Sequence, residues 1–220
     1  MRPYYDHAGI QIFHGDCREV LPTLATDDVD LVLTDPPYGV AERTDRASKG
    51  RGLLAPCYDF PPVHGDDEPF DPAHLLVFRR LVLWGANYYA DKLPPSPSWL
   101  VWDKRDGIPS NDNADCEMAW SNLGGPARLF RHRWNGMIKA SEREKRRVHP
   151  TQKPVVLMAW IISAHAPAGG LVLDPYMGSG PTLRAAKNLG RSAIGIEIEE
   201  RYCEIAAKRL QQSVLPLTGD

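Results

Sequence analysis

The stretch "LVLDPYMGSGPTLRAAKNLGRSAIGIE", Leu171 to Glu197, decides the fold. "LVLD" is a continuous apolar run closed by an acid, the pattern of a strand buried on both faces. A glycine-rich turn follows, then a helix that Thr182 opens and Gly190 ends. "SAIGIE" is a second strand closed by a second acid, Glu197, 23 residues after Asp174. Strand, tight turn, helix and strand make one unit of a parallel sheet, and such sheets bind ligands beyond the carboxyl ends of their strands. Gly178 and Gly180 would let the backbone come close to a ligand, and an acid ending the second strand is placed to accept both hydroxyls of a ribose. This is no phosphate loop, because GxxxxGK[ST] is absent. Nor is it a full dinucleotide fingerprint, because Pro181, Thr182 and Leu183 follow Gly180. An adenosyl ligand without a pyrophosphate fits better. The plainer reading, a glycine-rich turn that only packs a helix on a sheet, competes with it.

The same alternation extends in both directions. "GIQIF" (9–13) reads as a short strand running into a turn and a short helix at "HGDCREVLPTL". "VDLVLT" (29–34), "LVLWGAN" (81–87) and "SWLVWDK" (98–104) read as strands, with "CEMAW" (116–120) and "ARLFRHRW" (127–134) as a later pair. "DPAHLLVFRR" has Asp71 as N-cap and Pro72 at the first helical position, which predicts a helix. "KPVVLMAWIISAHA" (153–166) is an apolar helix stopped by Gly169-Gly170, and a last helix follows "IEIEE". Strands alternating with helices predict an α/β fold, a parallel sheet with helices on both faces.

Length and composition narrow the class. At 220 residues the chain reads as a single domain, 1–220, with room for insertions at about 39–70 and 105–148. The net charge of −2 gives no global sign of nucleic acid, so any such partner must meet local basic patches. Cys17, Cys57, Cys116 and Cys203 are far apart, without metal-ligand spacing, and read as reduced, mostly packed thiols of a cytoplasmic protein. No apolar h-region opens the chain and no run is long enough to span a bilayer, so neither secretion nor a membrane is expected.

"VDLVLTDPPYGV", Val29 to Val40, poses a separate question: a buried strand ends in an acid, two prolines and an aromatic. "TDPPYG" and "LDPYMGSGPT", with "HPTQKP" just before the second, resemble the S-adenosylmethionine-dependent DNA amino-methyltransferases over nearly the whole chain. The resemblance is to the permuted β group, whose catalytic motif precedes the cofactor motif. It implies a Rossmann-like methyltransferase fold with a mostly parallel seven-stranded sheet, circularly permuted. "LVLDP" and "AIGIE" would be its first two strands, "GIQIFHGD" its third and "VDLVLTDPPY" its fourth.

The resemblance implies S-adenosylmethionine as cofactor and places it among Asp16, Cys17, Asp35, Thr151, Gln152, Lys153, Asp174, Tyr176, Gly178, Ser179, Gly180, Thr182, Glu197 and Ile198. Asp16 would read the adenine ring, Glu197 the ribose, and Thr151, Gln152 and Lys153 the methionine carboxylate. Asp16 also reads as the plain N-cap of "CREVL". The cofactor loop departs from the family in Tyr176, where Phe is common, and in Pro181, where Thr is common; Pro181 removes one backbone donor.

The resemblance assigns catalysis to Asp35, Pro36, Pro37 and Tyr38, and elementary chemistry agrees. An exocyclic amine is a poor nucleophile because its lone pair is delocalised into the ring. A carboxylate from Asp35 and the carbonyl of Pro36 can accept its two hydrogens and localise that pair. The prolines stiffen the turn, and Tyr38 offers a face for a base extruded from the duplex. A rigid turn capping a strand is the bland alternative. The acid form of the motif points to N6 of adenine in double-stranded DNA. Cytosine N4 is the alternative, with RNA or protein methylation, or a cofactor-sensing module without catalysis, behind it. Pro56-Cys57 superficially suggests a ring-carbon methyltransferase, but its Glu-Asn-Val partner is absent.

Two basic patches flank the motifs and are the expected DNA contacts: Arg43, Arg46, Lys49 and Arg51, and a run containing Arg131, Arg133, Lys139, Arg143 and Arg146. Little chain is left for a target-recognition domain. A short or relaxed recognition sequence, or a second subunit, is therefore expected. A homodimer and a partner restriction endonuclease stay open.

Overall fold

A computed structural model describes residues 1–24, 28–41, 62–108, 114–135, 138–142, 148–149 and 151–211. Its strands are β1 (Tyr5–His7), β2 (Ile10–His14), β3 (Leu31–Thr34), β4 (Leu81–Trp84), β5 (Trp99–Asp103), β6 (Cys116–Ser121), β7 (Arg128–Arg131), β8 (Trp134–Asn135), β9 (Ile138–Lys139), β10 (Leu171–Asp174) and β11 (Ser192–Glu197). The helices are α1 (Cys17–Val20), α2 (Val155–His165), α3 (Pro181–Asn188) and α4 (Glu200–Gln211).

Among the described residues, nine strands form one sheet in the order β1-β2-β11-β10-β3-β4-β6-β5-β7, while β8 and β9 make a separate antiparallel pair. β2, β11, β10, β3 and β4 are parallel; β6 runs against its neighbours β4 and β5, and β1 runs against β2. The sheet is mostly parallel, as the alternation of elements predicts, but wider than seven strands. β1 widens one edge because Ala8 and Gly9, both at positive φ, fold Tyr5–His7 back onto β2. β7 widens the other by pairing parallel to β5. The segments around 116–120 and 127–134 are strands, but not partners of each other: β6 lies between β4 and β5.

The strands sort their side chains by the two-residue period of the pleat. Leu31 and Leu33 face one apolar cluster with Ile10, Val82 and Val172, covered by Leu157, Met158 and Ile161 of α2, Leu183 of α3 and Ala206 and Leu210 of α4. Val32 faces the other, with Phe13, Leu81, Leu173 and Ile196, covered by Cys17 and Val20 of α1, Phe70, Leu75 and Tyr89. Among the described residues, that second face carries no long helix. The helix expected from Asp71 is a run of turns, with bonds from Leu75 and Leu76 to Pro72 and from Phe78 to Leu75. The Asp71 carboxylate does accept the Ala73 amide at 3.0 Å. The segment gains its stability by burying Phe70 and Leu75, each worth about 1.5–3 kcal/mol, while Val77 stays 79% exposed. That spacing does not make a helical stripe. No helix among the described residues is long and apolar enough to cross a membrane.

Candidate active site

The carboxyl ends of β2, β11, β10, β3 and β4 open onto one cavity of about 1110 Å³. Its wall includes Asp16, Cys17, Asp35, Pro36, Pro37, Tyr38, Thr151, Gln152, Lys153, Asp174, Tyr176, Gly178, Ser179, Thr182, Glu197 and Ile198. Chain segments far apart in sequence are thus brought together. Gly180 is not on the wall. A Cβ there would lie 2.9 Å from Cβ of Ala206, so this glycine, at φ +74°, lets α3 pack on α4 rather than meeting a ligand.

At the end of β10 the Asp174 carboxylate is buried and accepts Oγ1 of Thr34 at 2.7 Å and the Tyr176 amide at 3.3 Å. Thr34 therefore ties the strand before DPPY to the strand before the glycine turn. Burial pushes Asp174 up to about 6, although Thr182 and Thr34 donate to it. Across the turn, Glu197 accepts the amides of Gly178 at 2.9 Å and Glu199 at 2.8 Å, and burial raises it to about 7. Two buried acids with free lone pairs face the cavity. A ligand carrying an ammonium and vicinal hydroxyls would satisfy both.

At the other end of this half of the cavity, Asp16 caps α1, accepting the Arg18 amide at 2.8 Å while the Arg18 guanidinium spans both carboxylate oxygens. The N-cap reading of Asp16 is therefore seen directly. Tyr176 turns its ring towards this end: its hydroxyl meets Nε2 of His74 at 2.9 Å, and its ring packs edge-on to Phe70. Sγ of Cys17 lies 3.8 Å from the same nitrogen. Phe70 and His74 line the cavity and could not be found from the sequence, because Phe70 ends the insertion read at about 39–70 and His74 falls in the segment read as a plain helix.

The DPPY turn leaves β3 at Thr34. Tyr38 donates its hydroxyl to Oδ1 of Asp35 at 2.5 Å, and Nζ of Lys153 reaches Oδ2 at 2.6 Å. Burial pushes the Asp35 carboxyl up against the pull of Lys153, and burial with Asp35 alongside holds the Tyr38 phenol protonated. Oδ1 of Asp66 accepts the amides of Tyr38 and Gly39 at 2.9 Å and of Val40 at 3.4 Å. The turn is thus fixed by its prolines and by an acid 28 residues away. The Tyr38 ring lies on Gly85 just beyond β4. A Cβ there would fall 1.9 Å from one ring carbon and 2.3 Å from both of that atom's neighbours, which is contact through the ring face. Tyr88 stacks on Tyr38 with centroids 5.1 Å apart.

Lys153, 4% exposed, is directed to Asp35 rather than outward into the cavity. Its Nζ also lies 3.1 Å from Oη of Tyr38 and 3.0 Å from Oε2 of Glu117, whose other oxygen takes Lys104 at 2.9 Å. Thr151 bonds to His149, and Gln152 accepts the Val148 amide at 3.3 Å. Of the expected DNA contacts, Arg131 is exposed on edge strand β7, Lys139 lies 4.6 Å over the Trp134 ring, and Arg133 is partly buried. None of the three is on the cavity wall, whereas Lys104 and Arg105 are. Arg43, Arg46, Lys49, Arg51, Arg143, Arg146 and Cys57 lie outside the described residues. Cys17 and Cys203 are buried, but Cys116, expected to pack, is exposed at the start of β6.

Known proteins are similar to this chain in sequence and in fold. The type II methyltransferase M.ScaI of Streptomyces caespitosus is 26% identical over 96% of this chain and 84% of its own. M2.LlaDCHI of Lactococcus lactis subsp. cremoris, also a type II methyltransferase, is 24% identical over 96% and 93%. Among solved structures, the M1.HpyAVI–SAM complex superposes with a TM-score of 0.58 at 28% identity, covering 92% of this chain and 100% of that one. The cytosine-N4-specific PvuII DNA methyltransferase shares the fold, with a TM-score of 0.67 at 17% identity over 97% and 90%. The family model for N6/N4 methyltransferases, described as DNA methylase, matches residues 98–208, half of the chain, and by that match the chain belongs to the N6/N4 DNA methylase family.

Proposed function

We propose that this chain transfers a methyl group from S-adenosylmethionine to the N6 amino group of adenine in double-stranded DNA, acting on a base extruded from the helix. The observation that carries the proposal is the Asp35 carboxylate, partly buried just beyond β3 and held by Tyr38 and Lys153, on the wall shared with Asp174 and Glu197. The cofactor supplies an electrophilic methyl on a sulfonium. Asp174 suits its ammonium and Glu197 its ribose hydroxyls, with Asp16 and Ile198 towards its adenine. The order of strands, with β11 and β10 between β2 and β3, supports reading the chain as a permuted form of the fold.

Each oxygen of Asp35 keeps an acceptor site beside the donor it already holds, so one amine hydrogen can bind there and the other on the Pro36 carbonyl. Held in this way, the nitrogen directs its lone pair at the methyl. With the cofactor bound, the N–C bond would form as the S–C bond breaks with its electrons going to sulfur, and the amine proton held by Asp35 would pass to that carboxylate and on to water. Positioning and preorganised acceptors carry the rate, and no covalent enzyme intermediate is involved. Arg131, Arg133 and Lys139, together with Arg43, Arg46, Lys49 and Arg51, are proposed to hold the DNA backbone.

The test is to incubate the protein with labelled S-adenosylmethionine and unmethylated duplex DNA, digest to nucleosides and identify the product by mass spectrometry. N6-methyladenine is expected, and Asp35→Ala should abolish it while leaving cofactor binding in place. N4-methylcytosine would overturn the choice of base. No methylated nucleoside, with cofactor bound, would overturn the reaction.

A further inference from the structure

Behind the DPPY turn runs a chain of alternating charge, with Lys153 buried at its centre and Asp35, Glu117 and Lys104 partly buried around it. Oδ2 of Asp35 meets Nζ of Lys153 at 2.6 Å, Nζ meets Oε2 of Glu117 at 3.0 Å, and Oε1 of Glu117 meets Nζ of Lys104 at 2.9 Å. Four segments contribute one residue each: the end of β3, the run into α2, the start of β6 and the end of β5. Because β6 runs against β4 and β5, its first residues lie at the carboxyl edge of its neighbours, and the register sets Glu117 beside Trp102. An ammonium has three hydrogens. Those of Lys153 have three partners within reach, Asp35, Tyr38 and Glu117. A lysine stem is long and flexible, and a buried charge is tolerated only where it is paired. With two carboxylates around it, the ammonium has one place to rest. With Asp35 alone it could rotate about that oxygen.

We infer that Glu117, steadied by Lys104, is a positioning residue for methyl transfer: it anchors the Lys153 ammonium so that Asp35 presents its remaining acceptor sites to the amine in one fixed orientation. This rests on the proposed reaction at Asp35. Neither Glu117 nor Lys104 needs to touch the base or the cofactor.

The charged and titratable groups facing Asp35 are Tyr38 on its own turn, Lys153 before α2, Glu117 on β6 with Lys104 behind it, Asp174 at the end of β10, and Tyr89 after β4. The lysines hold Glu117 at about 2 against the effect of burial, so it is ionised throughout the working range. Removing its charge takes a negative group away from Asp35 and should move the acid limb of the pH–rate profile down. Removing Lys153 should move that limb up. Damage to the fold would do neither.

The experiment compares wild type with Glu117→Gln, Glu117→Asp and Lys153→Met, by single-turnover methylation across pH, cofactor titration, and carbon NMR titration of the Asp35 carboxyl, assigned with Asp35→Asn. Glu117→Gln should slow methylation about 10- to 100-fold on the pH plateau, the scale of a small misplacement of reacting groups, with a smaller loss on the shifted acid limb. Cofactor affinity should stay at the wild-type value, and Glu117→Asp should recover part of the rate. The Asp35 titration should fall in Glu117→Gln and rise in Lys153→Met. A wild-type rate or a wild-type Asp35 titration in Glu117→Gln would overturn the inference. So would a rate loss that merely tracks lost cofactor affinity. If the wild type methylates no nucleic acid while the Asp35 titration moves as stated, the reaction is refuted and the anchoring of Asp35 by Lys153 and Glu117 stands.

Discussion

Tyr38 has the space it needs because residue 85 has no side chain. A methyl group at Gly85 would sit 1.9 Å from the ring, far inside contact distance, and the residue also holds a φ of +69° that an L side chain takes up at a penalty of about 1–3 kcal/mol. Gly85→Ala should therefore displace Tyr38 and with it the 2.5 Å bond that orients Asp35. Methylation should fall about 100-fold or more for a shift on the ångström scale, while cofactor affinity, set by residues across the cavity, stays. Wild-type single-turnover rates in that variant would refute the contact. At this scale the sequence is readable where function sits in consecutive residues. The glycine turn and Glu197 follow from spacing, and DPPY from a resemblance carried by four consecutive residues. Glu117, Lys104, Asp66 and Thr34 do not. Each is an unremarkable polar residue whose partner lies in another segment, and Glu117 matters only once β6 is known to run antiparallel.

At the scale of elements, the candidate site depends on how the segment after the long loop returns. Asp66 gathers three successive amides, and its own carbonyl accepts the Ala41 amide at 2.7 Å, so residues 62–70 are fastened to the chain directly after DPPY. A hydrogen bond to a charged group contributes about 1.5–3 kcal/mol, and amides left without it face partial burial. Asp66→Ala should cost roughly 2–4 kcal/mol in urea unfolding and lower methylation, with Asp66→Asn intermediate because one oxygen remains. Unchanged stability in Asp66→Ala would show that the tie is dispensable. The same region shows why element type was misread. Asp71 and Pro72 are a sound helix start, but what continues a helix is a stripe of apolar residues, and here the chain buries Phe70 and Leu75 while leaving Val77 outside. Tertiary packing, not the cap, decides. β1 was missed for the converse reason: Ala8-Gly9 is a weak hairpin signal on its own, and a three-residue strand has little pattern to read.

For the whole molecule, strand character was legible because continuous apolar runs mean two covered faces, and the acids at the ends of β10 and β11 and just after β3 marked the candidate edge. What covers the second face was not legible, since short helices and turns leave no periodic trace. That edge also places two raised acids in one cavity, and their linkage to stability can be measured. Asp174 moves from 3.8 to about 6 and Glu197 from 4.5 to about 7 on folding, both by burial. A raised acid binds its proton more tightly in the native state, so stability is greatest below the unfolded values and falls as pH rises through the folded ones. One unit corresponds to about 1.4 kcal/mol, so each group should withdraw on the order of 3 kcal/mol between about pH 4 and pH 8. His74, His132 and His165, which burial holds below their ordinary value, act in the opposite sense as pH falls below 6.5. A bare stability curve would blur the two effects, so the measurement is a difference. Glu197→Gln minus wild type, and Asp174→Asn minus wild type, should each grow more favourable as pH rises through the window, whatever constant offset the amide brings. Saturating S-adenosylmethionine, whose ammonium and ribose hydroxyls favour the ionised acids, should shrink that slope in the wild type and stabilise it more at pH 8 than at pH 5. A difference that stays flat with pH would mean the two carboxyls are as well solvated in the fold as in the unfolded chain, and their desolvation at the cavity edge would be refuted.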